Sequence, residues 1–350
     1  MKFSEDLQFS LPKTFNLTFL YPLALNAKAF AVWNYSMSTS GSPSSTRLRL
    51  SSVDLMLVAM SFVWGVNFTV VKVALEFFSP LSFNAVRFSV ASLLMLGFLW
   101  FRERSLRVQK EDLKKFVLLA LIGNTFYQIL FINGIFRTTA GNSSLILATT
   151  PIFVSLFSSV LGTEKVERRV WQSIFLSFLG VSMIVLGSGK PLTLTEQSLI
   201  GDLLILAGTI CWSVYTVLSK PLLGRYTPLR LTSLTIAMGT PLLVLVSIPS
   251  IEAQDWNAIP TQGWLSLAFS ACLAIALGYA LWYTGVSRIG SARTSLYEYM
   301  VTVIAVATAW IFLYESMTLI QIAGAALVFI GLYFSRKSHM EDGLEHAKKT

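Results

Sequence analysis

The chain has 350 residues, of which 54% are hydrophobic and only 13% charged, with a formal net charge of +9 and a mean hydropathy of +0.64. Soluble domains carry about twice that charge fraction, so an ordinary soluble fold is excluded. With two cysteines and two histidines, a disulfide framework is not expected, and a histidine-based metal site or proton relay within the apolar part is ruled out by number.

Residues 1–50 have no counterpart elsewhere in the chain. The stretch 14–27 is apolar but interrupted by Pro22, and Glu5 and Asp6 sit where a signal peptide wants positive charge. Two readings stand side by side: translation from Met37, or an N-terminal extension that is disordered or lies on the membrane surface.

From residue 53 the apolar residues fall in blocks of roughly 17–25, enough to cross about 30 Å of hydrocarbon as helix. Ten spans are predicted, at 53–72, 80–101, 113–135, 142–162, 170–188, 201–222, 229–248, 262–286, 291–314 and 318–335. A bilayer leaves no water to satisfy backbone groups, so these blocks should be helices. Cys211 and Cys272 lie inside spans, and His339 and His346 lie in the C-terminal tail.

The basic residues sort onto alternate connections. Arg102, Arg104, Arg107, Lys110, Lys114 and Lys115 follow span two, and Lys165, Arg168 and Arg169 follow span four. Lys220, Arg225 and Arg230 surround the end of span six, and Arg288 and Arg293 follow span eight. The other connections offer little beyond Lys72, Arg137 and Lys190. The positive balance is therefore a topology signal that places both termini in the cytoplasm, and not a sign of nucleic-acid binding.

The sequence is written twice. A shift of 148 positions places Asp54 on Asp202, Trp64 on Trp212, Lys72 on Lys220 and Pro80 on Pro228. A shift of 151 places Gly134 on Gly285, Glu164 on Glu315 and Gly180 on Gly331. Five spans per copy is an odd number, so the second copy must enter the membrane inverted. Inverted repeats in a membrane protein point to a transporter.

Span one reads FVWGVNFTVVKVAL and runs through SPLSFNAVRF into span two. Span four reads ATTPIFVSLFSSVLGTE, and spans nine and ten carry SLYEYMVTVIAVATAWIFLYE and QIAGAALVFIGLYF. Taken in order, and in both halves, these runs resemble the EamA-type transporters of the drug/metabolite transporter superfamily. The resemblance implies an all-α integral membrane protein of ten transmembrane helices in two inverted five-helix EamA-like repeats. These would be residues 51–190 and 200–336, between an N-terminal tail 1–50 and a cytoplasmic tail 337–350. It also implies a cavity between the halves, lined by spans one, three, four, six, eight and nine. The chain departs from the family pattern at Thr302, Ser213 and Thr235, which stand where the first half has Pro151, Gly65 and Arg87.

Candidate site residues follow from helical spacing. Trp64 and Asn67 share a face of span one, as Trp212 and Tyr215 do on span six. Asn124, Tyr127 and Gln128 form one face of span three, and Tyr279, Trp282 and Tyr283 one face of span eight. These groups suit zwitterions or amphipathic organic molecules, whereas phosphate calls for convergent Lys and Arg.

Glu298 is an acid inside span nine, where ionisable groups normally face a wet cavity. It is read either as a binder of substrate amines or a proton-coupling group, or as a structural partner of Arg293. Arg87 is expected to brace the first repeat through carbonyls or an acid, with direct anion binding as the alternative. Lys72 and Lys220 are candidate gate charges or snorkelling lysines, and Pro151 is a candidate hinge.

No GxxxxGK[ST] loop is present. Asp54 and Asp202 fall at span ends on opposite sides of the membrane, so no catalytic dyad is expected. The expectation is a secondary transporter of small polar metabolites or amphipathic drugs in the plasma or inner membrane, with neither metal nor cofactor. The alternative is a nucleotide-sugar or phosphorylated-metabolite exchanger. Expected partners are a small-molecule substrate and the lipid bilayer, with the chain acting as monomer or homodimer and no nucleic acid involved.

Overall fold

A computed structural model describes residues 51–138, 140–187, 196–313 and 318–349. The expectations for residues 1–50, including Met37, and for Glu315 lie outside the described residues. All regular structure among the described residues is helical.

Helix α1 (Ser52–Ala74) starts where Ser51 and Asp54 cap each other: the Ser51 hydroxyl accepts from the Asp54 amide, and Asp54 accepts from the Ser51 amide at 2.9 Å. Helix α2 (Pro80–Glu103) opens on a proline, which has no amide proton to leave unsatisfied. It closes at Arg104 in a left-handed conformation with φ 51°. Helix α3 runs Lys110–Arg137, and the fourth apolar block is split into α4 (Ala140–Leu147) and α5 (Thr150–Val160). Helices α6 (Arg168–Leu186), α7 (Glu196–Ser219) and α8 (Pro228–Glu252) follow, then α9 (Thr261–Ile289). The ninth block is split into α10 (Ser291–Ser295) and α11 (Tyr297–Leu313), and α12 spans Leu319–Lys349.

Seven of these helices are long and apolar enough to cross a membrane: α1, α2, α3, α6, α7, α8 and α9. The other apolar blocks are shorter or broken. Pro151 explains the first break, since its ring excludes the carbonyl four residues back and it stands in the first turn of α5. The second break comes at Leu296 without a proline, so the Thr302 departure does not remove it.

Polarity is inside-out relative to a soluble protein. Asn84, Thr125 and Ser61 are fully buried, while Leu93, Phe175 and Leu319 are largely exposed. A bilayer accommodates that apolar exterior, and the buried hydroxyls bond to helix carbonyls, as Ser61 does to Leu57 O at 2.9 Å.

Equivalent helices of the two halves pack on each other in opposite directions. In α2 and α8, Ser82 donates to Ser250 O at 2.7 Å and Ser233 donates to Met95 O at 3.3 Å. In α6 and α12, a Cβ added at Gly180 or Gly324 would lie 2.5 Å from the other glycine's carbonyl oxygen. A Cβ at Gly331 would lie 2.1 Å from Ser177 Oγ. Only glycine permits that approach, which is how small residues drive helix association in lipid.

The basic connections gather at one end of the bundle, called here the basic end. Among the described residues, four ion pairs there join the halves: Glu103–Arg230, Asp112–Arg225, Glu164–Lys220 and Glu167–Arg293. Every acid belongs to the first half and every base to the second.

Candidate substrate cavity

Helices α3 and α9 each contain a π-helical stretch, Leu121–Phe126 and Ser270–Leu277. With the 151-residue shift these stretches coincide. A π turn loosens the usual carbonyl pairing and often marks a functional position. Here one freed carbonyl, Ala274 O, accepts from Trp64 Nε1 at 2.9 Å.

Trp212, the equivalent of Trp64, makes no such bond to α3. Its Nε1 donates to Glu298 Oε1 at 2.9 Å. The reason lies one turn away. Gly278 leaves room for Trp64, since a Cβ there would sit 2.3 Å from Trp64 Nε1. The equivalent residue in α3 is Tyr127, whose ring packs against Trp212 with centroids 5.2 Å apart.

These side chains enclose a cavity of about 110 Å³ between the halves. Trp64, Asn67, Arg87, Tyr127, Gln128, Trp212, Tyr279 and Glu298 all line it. The lining runs from mid-helix away from the basic end, through Phe68 and Val71 on α1 and Phe131 and Ile135 on α3. Four rings dominate one wall: Trp212 lies 5.9 Å from Trp64 and 5.2 Å from Tyr279 between centroids, with Tyr127 beside it.

Glu298 stands in the first turn of α11, where the helix dipole favours negative charge. Its expected structural partner is corrected: Arg293 pairs with Glu167 at 2.6 Å, and Glu298 has no cationic partner among the described residues. Its contacts are Trp212 and Thr150, the latter at the start of α5. The broken helices α5 and α11 thus both begin at the cavity, the arrangement by which broken helices build ligand sites in membranes.

Arg87 also departs from expectation. Among the described residues no acid meets it, and its partners are side-chain oxygens of both halves. Nε donates to Asn84 Oδ1 at 2.7 Å, Nη1 to Ser270 Oγ at 3.0 Å and Nη2 to Gln128 Oε1 at 3.1 Å. Phe83 and Phe88 flank the guanidinium at 5.1 and 5.7 Å from their centroids. Gln128 passes the network on, donating from Nε2 to Tyr279 Oη at 2.8 Å.

Asn124, Tyr215, Trp282 and Tyr283 do not line the cavity. They are packed out of reach toward the basic end, where Tyr215 Oη meets Thr235 Oγ1 at 2.7 Å. Pro151 is buried at the start of α5 behind Thr150. Lys72 is exposed at the far end of α1. Lys220 is tied at the basic end, donating to Val286 O at 2.7 Å beside Glu164, so it does not simply snorkel.

Sequence spacing missed Phe68, Phe131, Thr150, Val301 and Ala305 in the wall. Of these only Thr150 had a signal, its place beside Pro151. The rest read as ordinary membrane-facing residues.

A family model described as the EamA-like transporter family matches residues 51–186 and again 199–336. The chain is similar to the uncharacterized transporter YyaM of Bacillus subtilis (strain 168), at 30% identity over 286 residues. The match covers 80% of this chain and 92% of the relative. An uncharacterized transporter of Archaeoglobus fulgidus is 28% identical over 273 residues, covering 77% and 93%. A crystal structure of another protein shares the fold with a TM-score of 0.70 at 16% identity, covering 82% of this chain and 97% of that one.

Proposed function

The chain belongs to the EamA-like transporter family, and we propose that it is a secondary transporter exporting small polar metabolites such as amino acids, or amphipathic drugs. Ten helical crossings in two inverted sets of five carry the alternating access, with the broken pairs α4/α5 and α10/α11 each counted as one crossing. The basic end faces the cytoplasm by the positive-inside rule, which puts both termini there and the cavity on the outward side. Plasma or inner membrane is the location this reading requires.

One observation carries the proposal: Glu298 faces a ring-lined cavity with no ion-pair partner among the described residues, while Arg87 stands elsewhere in the same wall. An amine fits beside the acid and the rings. Arg87 keeps guanidinium hydrogens beyond the three bonds it makes, enough for one carboxylate oxygen. An acid that exchanges a proton for substrate would also couple transport to the proton gradient.

The geometry does not favour the phosphorylated-metabolite alternative. Phosphate needs several converging cations, whereas Lys72 and Lys220 lie outside the wall and Arg87 is largely consumed by its brace.

Counterflow in proteoliposomes tests the reading. Vesicles preloaded with unlabelled amino acids or amphipathic amines should accumulate the labelled counterpart through this protein. If no such compound exchanges while sugar phosphates do, the alternative replaces it.

A further inference from the structure

Two arginines at the basic end take no part in the ion pairs that join the halves. Where α2 ends, Trp100, Arg104, Ser105, Leu106 and Arg107 line a recess on the outer surface. The left-handed conformation of Arg104 turns the chain there, and the Arg107 amide donates to Ser105 Oγ at 3.3 Å, so both arginines border one recess. Both are exposed, and among the described residues neither forms an ion pair. The acids on either side are placed elsewhere: Glu103 is held by Arg230 and Asp112 by Arg225, and Glu111 is not in the lining.

From the recess toward mid-helix, α2 carries apolar surface. Leu93, Phe98, Trp100 and Phe101 are 50–73% exposed. Leu93, Gly97 and Trp100 stand four and three residues apart, hence on one face. A Cβ added at Gly97 would meet nothing within 4 Å, so this face has a notch between two bulky side chains, leading toward the recess. An exposed tryptophan beside arginines marks the level where hydrocarbon gives way to headgroups.

The duplication shows that this combination is not a by-product of the architecture. The 148-residue shift places Gly97, Arg104 and Arg107 on Leu245, Glu252 and Asp255. The equivalent end of α8 therefore has a leucine, 60% exposed, in place of the notch, and two acids in place of the arginines.

We propose that the recess and the notch form a binding site for one anionic phospholipid of the leaflet at the basic end. Its phosphate takes the two guanidiniums, whose forks match phosphate oxygens, and the Ser105 hydroxyl adds a donor. One acyl chain lies along α2 over Gly97. A zwitterionic lipid brings its own cation to the arginines and is the poorer ligand, and a soluble phosphate gains nothing from the notch. The acids at the equivalent end of α8 repel the same headgroup, so the site occurs in the first half alone. The inference does not depend on what the cavity carries.

The full chain, purified in a neutral detergent, is titrated with dioleoylphosphatidylglycerol, dioleoylphosphatidylcholine or glycerol 3-phosphate and followed by thermal unfolding and native mass spectrometry. Phosphatidylglycerol should raise Tm saturably and stay bound as one molecule per chain, and the other two should do neither. Arg104→Asn with Arg107→Gln should abolish both effects, and asparagine tolerates the left-handed turn. Lys165→Gln with Arg168→Gln removes the same charge from exposed positions at the same end, and should leave both effects intact. Gly97→Leu fills the notch from open space. It should weaken phosphatidylglycerol binding several-fold without lowering the Tm of the lipid-free protein, and it carries the test should the arginine variant fold poorly. Equal losses in the two charge variants would show diffuse surface charge and overturn the site. Wild-type binding by Gly97→Leu, or equal binding of phosphatidylcholine, would also overturn it. So would a full Tm rise with glycerol 3-phosphate, which would show a soluble-anion site in its place.

Discussion

Gln128 donates from Nε2 to Tyr279 Oη at 2.8 Å, and the two residues occupy equivalent positions in the two halves, 151 apart. A residue that meets its own equivalent lies on the axis relating the repeats. Trp64 and Trp212 meet in the same way, with ring centroids 5.9 Å apart. The axis thus runs through the cavity wall, so the cavity is where the two copies touch and where their differences matter.

Gln128→Leu tests the network that crosses this axis. It removes the acceptor of Arg87 Nη2 and the donor to Tyr279, leaving buried groups unpaired at a cost of about 1–3 kcal/mol. Thermal unfolding in detergent should show a clear drop in Tm. Arg87→Lys should not restore the brace, because an ammonium cannot reproduce the fork that reaches Asn84, Ser270 and Gln128.

The tryptophan pair should divide structure from recognition. Trp64→Phe removes the bond to Ala274 O and trims a ring packed on Trp212 and Trp282; the lost hydrogen bond alone costs about 0.5–1.5 kcal/mol of stability. Trp212→Phe frees Glu298 instead. It should raise KM for transport several-fold, more than Trp64→Phe does. Transport assays and thermal unfolding on the two variants decide it, and equal effects on KM would contradict the division.

Gly324→Val should pry α6 from α12, since even a Cβ meets Gly180 O at 2.5 Å. Overpacking of this kind costs typically about 1–3 kcal/mol. Gly97→Ala has nothing within 4 Å of the new methyl, and should be neutral or gain up to about 1 kcal/mol from helix propensity. Paired Tm measurements read both.

The ion pairs at the basic end should behave as a set with fixed sense. In Glu103–Arg230 at 2.7 Å both partners are only partly exposed. Glu103→Arg should lower Tm, and Glu103→Arg with Arg230→Glu should recover most of it. The coupling energy from that cycle should be about 1 kcal/mol. High salt should shrink the difference, because exposed pairs are screened.

How much of this was legible in the sequence follows from the duplication. Apolar block length and the two shifts indicate helices in an inverted duplication but not the breaks at Pro151 and Leu296; Trp64, Gln128, Trp212 and Tyr279 were picked by spacing and Glu298 as an acid inside a span, and all five line the cavity. The same spacing put Asn124, Tyr215, Trp282 and Tyr283 into the site. It cannot tell which side of the pseudo-twofold is open in a given conformation, because each repeat contributes one face to each side. The partners of Arg87 were not legible, because Gln128 and Ser270 are neutral side chains 41 and 183 positions away, although Asn84 stands only three residues back. The role of Tyr127 in turning Trp212 toward Glu298 depends on what stands at Gly278 in the other copy, which helical spacing within one copy does not reveal.

The central claim is that Glu298 works on substrate in the cavity, and counterflow of an exchanged amine by wild type and Glu298→Gln across a pH series tests it most directly. The account predicts that wild-type exchange varies with pH and that Glu298→Gln, folded and with unchanged Tm, loses both most of the exchange and its pH dependence. Undiminished exchange by Glu298→Gln with the wild-type pH profile would contradict it.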